Sequence, residues 1–348
     1  MFCGLSAFPL TPMNEVGVDE GAFARLVERL AAAKVDSIGA LGSTGNYAYL
    51  DRSDRFRLAQ VAVQHAGGIP VMIGIGALRT RDVLHLADDA QKAGASAVLL
   101  APVSYQKLTD DEVYELYATV NRSLSVPLCV YDNPGTTRFE FSDQLHGQIA
   151  QLSRVGSIKI PGLPADPDAA KTRVERLRAV VPPRVTIGIS GDAFALRGLS
   201  AGCEAWYSVL GGLFPKTALA ITKAARTGNI TEASRLSDHL EPLWAMFRRK
   251  GSLRVMATAA ELQGLVSRPS LPRTDSIRDF SGTRPVSLVR GWRKLPARCS
   301  ARGWISCDKS LSAYPEFPVP PIARAASMIL ANRDSRPRAE LRPARLPG

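Results

Sequence analysis

The feature that most constrains this chain is a repeat. Along the first 270 residues, short apolar or β-branched runs alternate eight times with amphipathic stretches. A short run bounded by turns buries both faces as a parallel strand, and an amphipathic stretch of period 3.6 supplies the crossover back to the same sheet edge. The candidate strands are 4–10, 35–41, 70–76, 95–102, 127–131, 157–160, 185–190 and 204–209. The helical stretches between and after them are 20–34, 55–65, 81–93, 110–123, 143–152, 168–180, 193–201 and 216–226. Thr109 with Glu112 three residues later has the pattern of a capping box at the start of one helix. Strand starts fall roughly 20 to 35 residues apart, the length of one βα unit. Eight such units predict an α/β fold, a closed (β/α)8 barrel; an open doubly wound sheet is the alternative, because alternation alone does not show closure. Two further helices, 231–247 and 253–265, are expected to pack outside the barrel.

The 348 residues carry a net charge of +12, which would suggest a polyanionic partner if it were spread over the fold. It is not. From Leu271 onward there are 15 Lys+Arg against 6 Asp+Glu, which leaves only +3 for residues 1–270. The same segment holds 10 of the 24 prolines and sustains no helical or strand period. The expected organisation is therefore a barrel over 1–228, C-terminal helices over 229–270, and a basic tail over 271–348. Three readings of that tail stay open: a shifted reading frame or unconstrained extension, an arm for an anionic partner using its arginines with Trp292 and Trp304, or a folded module. A nucleic-acid partner is expected only through this segment.

No run of 18 apolar residues is present, so no membrane partner is expected. The first basic residue is Arg25, and the start MFCGLSAFPLTP lacks a signal peptide's charged region and cleavage pattern, which predicts a cytoplasmic protein. Five cysteines without a close pair argue against a disulfide framework and a zinc knuckle. The four histidines, His65, His85, His146 and His239, fall on separate helices, so no metal site and no hydrolase triad is indicated. No glycine loop has dinucleotide spacing; the Gly74/Gly76 pair is a fragment of one.

In a barrel, chemistry gathers where strands end. Strand two ends in Gly42-Ser43-Thr44-Gly45-Asn46, strand five in Tyr131-Asp132-Asn133-Pro134-Gly135-Thr136-Thr137, strand six contains Ser157-Ile158-Lys159-Ile160, and strand seven ends in Ser190-Gly191-Asp192. Together these motifs resemble the dihydrodipicolinate synthase and N-acetylneuraminate lyase family of Schiff-base aldolases, over residues 1 to about 270. The resemblance implies a (β/α)8 barrel, usually a tetramer, that binds pyruvate or a related 2-oxo acid on a lysine and adds or cleaves an aldehyde, with no cofactor and no metal.

Lys159 is the decisive residue. If Ile158 and Ile160 pack outward against helices, alternation points Lys159 into the barrel, where desolvation favours the neutral amine that attacks a ketone. The alternative is a strand-end lysine that reaches solvent or pairs with a carboxylate. Tyr131, on the same face as Cys129, can approach that amine, and the resemblance assigns it the proton relay; otherwise it is a buried aromatic with a satisfied hydroxyl. Ser43 and Thr44 offer hydroxyl and N–H donors in a glycine-flanked turn, and the resemblance gives them the carboxylate of the 2-oxo acid, with Gly191 and Tyr105 completing the substrate-binding set. Tyr105 enters because the family often supplies a tyrosine from this loop across a subunit contact.

The chain departs from the family pattern at two motif positions. Asn46 stands where the family has glutamate, and Thr136 where dihydrodipicolinate synthases carry the arginine that recognises the aldehyde's carboxylate. Arg138 is two residues on, a shift that does not preserve the geometry of a planar guanidinium fork. The sequence therefore predicts a class I aldolase or lyase whose aldehyde differs from that of the lysine pathway. Two alternatives are dihydrodipicolinate synthesis itself and a non-catalytic barrel with a binding or regulatory role.

Overall fold

The computed structural model of the protein describes residues 1–272. Its strands are β1 (Gly4–Ala7), β2 (Ser37–Ala40), β3 (Val71–Gly74), β4 (Ala97–Leu100), β5 (Leu128–Tyr131), β6 (Val155–Ile160), β7 (Thr186–Ser190) and β8 (Ala205–Ser208). They pair in parallel in chain order and close: β8 returns to β1 in register from Gly4↔Ala205 to Ala7↔Ser208. Closure settles the choice between barrel and open sheet. β1 to β4 and β8 are buried at every position, as parallel strands walled by helices on one side and by each other's side chains on the other must be.

The helices of the wall begin and end where local chemistry dictates. In α1 (Glu20–Ala33) the Asp19 carboxylate accepts from the Ala22 N–H, Phe23, Leu26, Val27 and Leu30 form one buried stripe, and Lys34 closes the helix at φ 58°. α2 (Arg52–His65) and α3 (Thr80–Lys92) follow, and α4 (Asp110–Ser123) has the capping box expected from Thr109 and Glu112, both halves formed. Removing such a cap costs about 1 kcal/mol. α6 (Asp143–Ala150) starts on Ser142, and α7 (Pro167–Val180) on Asp166 with proline at its first position, where no N–H is needed. α8 (Ala195–Ser200) and α9 (Pro215–Arg226) complete the repeat.

Two features differ from the sequence reading. One turn of helix, α5 (Pro134–Thr137), sits in the loop after β5, nucleated by Pro134. The single helix expected over 231–247 is two, α10 (Ile230–Asp238) and α11 (Glu241–Lys250), because Pro242 lacks the N–H that a continuous helix would need and its ring would strike the preceding turn. α12 (Ser252–Leu262) is the last described helix. Of the tail expected over 271–348, all but Leu271 and Pro272 lies outside the described residues. Among the described residues no helix is long and apolar enough to cross a membrane, and no three His, Cys, Asp or Glu side chains are grouped as metal ligands.

Candidate active site

β6 places Lys159 as its period of two requires. Ile158 is fully buried on the helix side, while Ser157 and Lys159 face the interior. Lys159 is only 6% exposed. It pairs in register with Tyr131 of β5, and its Nζ lies 3.8 Å from the centre of the Tyr131 ring. No described carboxylate forms an ion pair with it, so it is neither the solvated lysine nor the salt-bridged one that the sequence left open. Tyr131 is half-buried and packs against the cluster that contains Cys129, on the face alternation assigned to it. Burial pushes the Cys129 thiol up to about 11, so it is inert filling beneath the amine.

The turn after β2 carries Ser43 and Thr44 at the same end of the barrel as Tyr131. Ser43 is half-buried and Thr44 buried. The turn is tightly drawn: Leu41 adopts φ 56°, a left-handed conformation that non-glycine residues hold at a cost of about 1–3 kcal/mol, and a Cβ on Gly74 would lie 2.0 Å from the Leu41 carbonyl oxygen. Strain kept at a strand end beside candidate ligands is over-determined by its packing. Asn46 is also left-handed, at φ 55°, a region asparagine tolerates well; buried, it donates through Nδ2 to the Thr11 carbonyl. A glutamate could not make that bond, so the departure at Asn46 has a local reason.

Past β7, Ser190 Oγ donates to the Ile160 carbonyl at 2.7 Å, tying the two strand ends together one residue beyond Lys159. Gly191, at φ 81°, makes the reversal that follows and brings Asp192 into the interior, where its carboxyl accepts from Ser208 Oγ at 2.6 Å and faces the Leu210 N–H. Burial raises the Asp192 carboxyl to about 6. Tyr105 stands apart from this constellation, 91% exposed on the loop after β4. Thr136 and Arg138 are both exposed, and Arg138 caps α5 at φ 57°.

Three elements of the site escape sequence reasoning. Phe8, just past β1, lies with its ring 4.2 Å from Lys159 Nζ, and Tyr207 of β8 with its ring at 5.7 Å. The two rings meet edge to face, centroids 6.1 Å apart. Their signal in the sequence is indirect: a Cβ on Gly39 would lie 2.4 Å from the Phe8 ring and one on Gly188 2.3 Å from the Tyr207 ring, and a lone glycine inside a strand marks such an approach. The third element is a buried pair, Asp132 and His146, with Nε2 and Oδ2 3.5 Å apart. His146 is fully buried and stacks on Phe141 at 4.8 Å, and neither of its nitrogens has a hydrogen bond among the described residues. Burial raises the Asp132 carboxyl to about 7, against the pull of Arg173, and lowers His146 to about 4. Both groups are thus driven toward neutrality, one residue from Tyr131.

Comparison with known proteins bears on what this arrangement is. A model of the dihydrodipicolinate synthetase family matches residues 1–278. A dihydrodipicolinate synthase of Agrobacterium tumefaciens, known from its crystal structure, is 47% identical with a TM-score of 0.75, the match covering 79% of this chain and 94% of that one. The 4-hydroxy-tetrahydrodipicolinate synthase of Nitrobacter hamburgensis is 28% identical over 271 residues, covering 76% of this chain and 89% of the relative. The dihydrodipicolinate synthase of Thermotoga maritima, at 24% identity and a TM-score of 0.72, shares the fold over 84% of this chain and 97% of its own.

Proposed function

The chain belongs to the dihydrodipicolinate synthetase family, and from that premise we propose a pyruvate-dependent lyase of class I aldolase type, in which Lys159 forms a Schiff base with pyruvate or a related 2-oxo acid. The observation that carries this reading is a lysine amine inside a closed barrel, against the Tyr131 ring and without a carboxylate partner among the described residues. The lone pair of the neutral amine forms a C–N bond to the ketone carbon, and one nitrogen proton passes to the former carbonyl oxygen to give the carbinolamine. Protonation of that hydroxyl, by Tyr131, releases water and leaves the iminium C=N⁺. The iminium draws electrons from the adjacent carbon, so loss of a proton there gives the enamine that adds to an aldehyde carbonyl; cleavage and dehydration run through the same intermediate. Ser43 and Thr44 hold the carboxylate of the 2-oxo acid, and Gly191 lets the backbone approach it.

Thr136 supplies no cation for an anionic aldehyde, which favours a neutral, hydroxylated aldehyde, giving a sugar acid with the 2-oxo acid's own carboxylate, over the substrate of the lysine pathway. The relatives named 4-hydroxy-tetrahydrodipicolinate synthase support the second reading, that pathway's condensation itself. In this reading the enzyme is cytoplasmic and a homo-oligomer, and the exposed Tyr105 completes a site only when a second copy is present.

The test is reduction with borohydride in the presence of a panel of 2-oxo acids, followed by peptide mass mapping. A covalent adduct on Lys159, absent from Lys159→Arg because guanidinium stays protonated, is expected. A folded protein that traps none of them excludes the enzyme reading. Catalytic efficiency across an aldehyde panel separates the two substrate readings: aspartate semialdehyde ranking first would reject the role given to Thr136.

A further inference from the structure

Resting on the Schiff-base reading, we propose that the ring faces of Phe8 and Tyr207 are further catalytic groups, which with Tyr131 form an aromatic cage that balances the positive charge of the Lys159 iminium. The reaction needs that charge. An iminium is an electron sink only while it is cationic, and a cation held inside a barrel is unfavourable unless something near it carries opposing charge.

The obvious supplier is a carboxylate, and the described residues offer none in ion-pair contact with Nζ. Asp192 feels the Lys159 charge through space but forms no ion pair with it, and its oxygens accept from Ser208 Oγ and the Leu210 N–H. What surrounds the nitrogen instead is three aromatic rings, with centres 3.8, 4.2 and 5.7 Å away for Tyr131, Phe8 and Tyr207. Each ring carries negative potential over its face and attracts a cation within about 6 Å, more strongly where water is excluded. Unlike a carboxylate, a ring face is no base. It opposes the charge without removing the N–H proton, so the iminium persists long enough for the neighbouring carbon to lose its own.

The rings are held in place by close packing within the barrel core. Phe8 fits only because Gly39 lacks a side chain, and the glycine of the next turn, Gly42, leaves its Cβ position 3.1 Å from the same ring. Tyr207 lies over Gly188 and is pinned at its far end, its hydroxyl 2.6 Å from Ser157 Oγ and 3.5 Å from the Cys129 thiol that donates to it. The edge-to-face contact then fixes one ring against the other.

The experiment replaces Phe8 site-specifically with phenylalanines bearing one, two and three ring fluorines, which drain the face of negative potential while nearly preserving shape. Phe8→Leu serves as the apolar limit, and unfolding curves report whether each variant is folded. The readout is the pyruvate concentration giving half-maximal borohydride adduct on Lys159. It should rise stepwise with fluorine number and reach about 2- to 30-fold for the leucine variant, the range a ring–cation contact supplies. A flat series in a protein that traps pyruvate overturns the cage, whereas failure of the unmodified protein to trap pyruvate counts against the Schiff-base reading alone. In that event formaldehyde with cyanoborohydride, which forms an iminium on any accessible amine, decides: Lys159 methylation relative to exposed lysines falls along the series if the cage exists and stays constant if it does not.

Discussion

Two buried polar sites lie side by side at the ends of β5 and β6, and they treat charge in opposite ways. Lys159 is ringed by Phe8, Tyr131 and Tyr207, whose faces attract a cation, and it lies at the strand ends where the barrel opens. Asp132 and His146 sit behind Tyr131 without a hydrogen bond on Asp132 Oδ1 or on either imidazole nitrogen among the described residues, and burial drives both toward their neutral forms. In the proposed Schiff-base reaction the first site would hold a charge made during turnover, whereas burial drives the second toward neutrality. Burial alone therefore does not identify a functional group. What distinguishes the two is the set of atoms that faces it.

The largest effect should come from removing the amine. Lys159→Arg puts a guanidinium, which stays protonated, beside the same rings and cannot form the imine, so turnover should vanish while the barrel still unfolds cooperatively. Retained turnover would place the chemistry elsewhere. Next, Tyr131→Phe keeps the ring against Nζ and removes only the hydroxyl. Turnover should fall by about 10²- to 10⁴-fold, with little change in the pyruvate dependence of adduct formation. An equal loss in both would make Tyr131 a binding group rather than a proton relay.

The Asp132–His146 pair yields a test in stability rather than in rate. The folded-state value of Asp132 is raised from 3.8 to about 7, so its contribution is fully present below pH 4 and is lost as pH rises toward 7. His146 is depressed from 6.5 to about 4, so its contribution is present above pH 6.5 and is lost as pH falls toward 4. In the unaltered protein the two slopes oppose each other between about 4 and 6.5. Asp132→Asn leaves only the histidine, and its denaturation midpoint should climb with pH across that window, by no more than about 3 kcal/mol in stability for the shift from 6.5 to about 4. His146→Leu should show the reverse slope. Parallel curves for all three proteins would mean that the pair does not titrate as described.

The smallest effect concerns the glycine that admits Phe8. Gly39→Ala should destabilise the barrel by about 1–3 kcal/mol, because the new methyl meets the ring at 2.4 Å. Adding Phe8→Leu should recover part of that loss, an interaction that a double-mutant cycle reads directly. Simple additivity would show that the ring and the glycine are not matched.

What the sequence discloses follows from how local each feature is. Eight strands and the inward aim of Lys159 depend only on periods of two and 3.6, and a period is a property of neighbours in the chain. Ser43 and Thr44 could be placed at the same barrel end as Tyr131 because parallel strands end together there, while their role toward a carboxylate rests on the family resemblance. Phe8 and Tyr207 could not, since an aromatic residue in a strand reads as core, and only Gly39 and Gly188, far along the chain, betray the space the rings occupy. The Asp132–His146 pair depends on how α6 docks behind β5, a tertiary contact with no local trace. The break between α10 and α11 was legible in Pro242 but yields to apolar periodicity when the stretch is read as one helix.

The Schiff-base proposal requires a covalent bond between Lys159 and a 2-oxo acid beside the turn after β2. A crystal of the full chain soaked in pyruvate measures it directly. The expected result is continuous electron density from Lys159 Nζ to the second carbon of pyruvate, with the carboxylate on Ser43 and Thr44 and the nitrogen over the Phe8 and Tyr131 rings. Pyruvate bound without a link to Lys159, or joined to another lysine, would contradict the account.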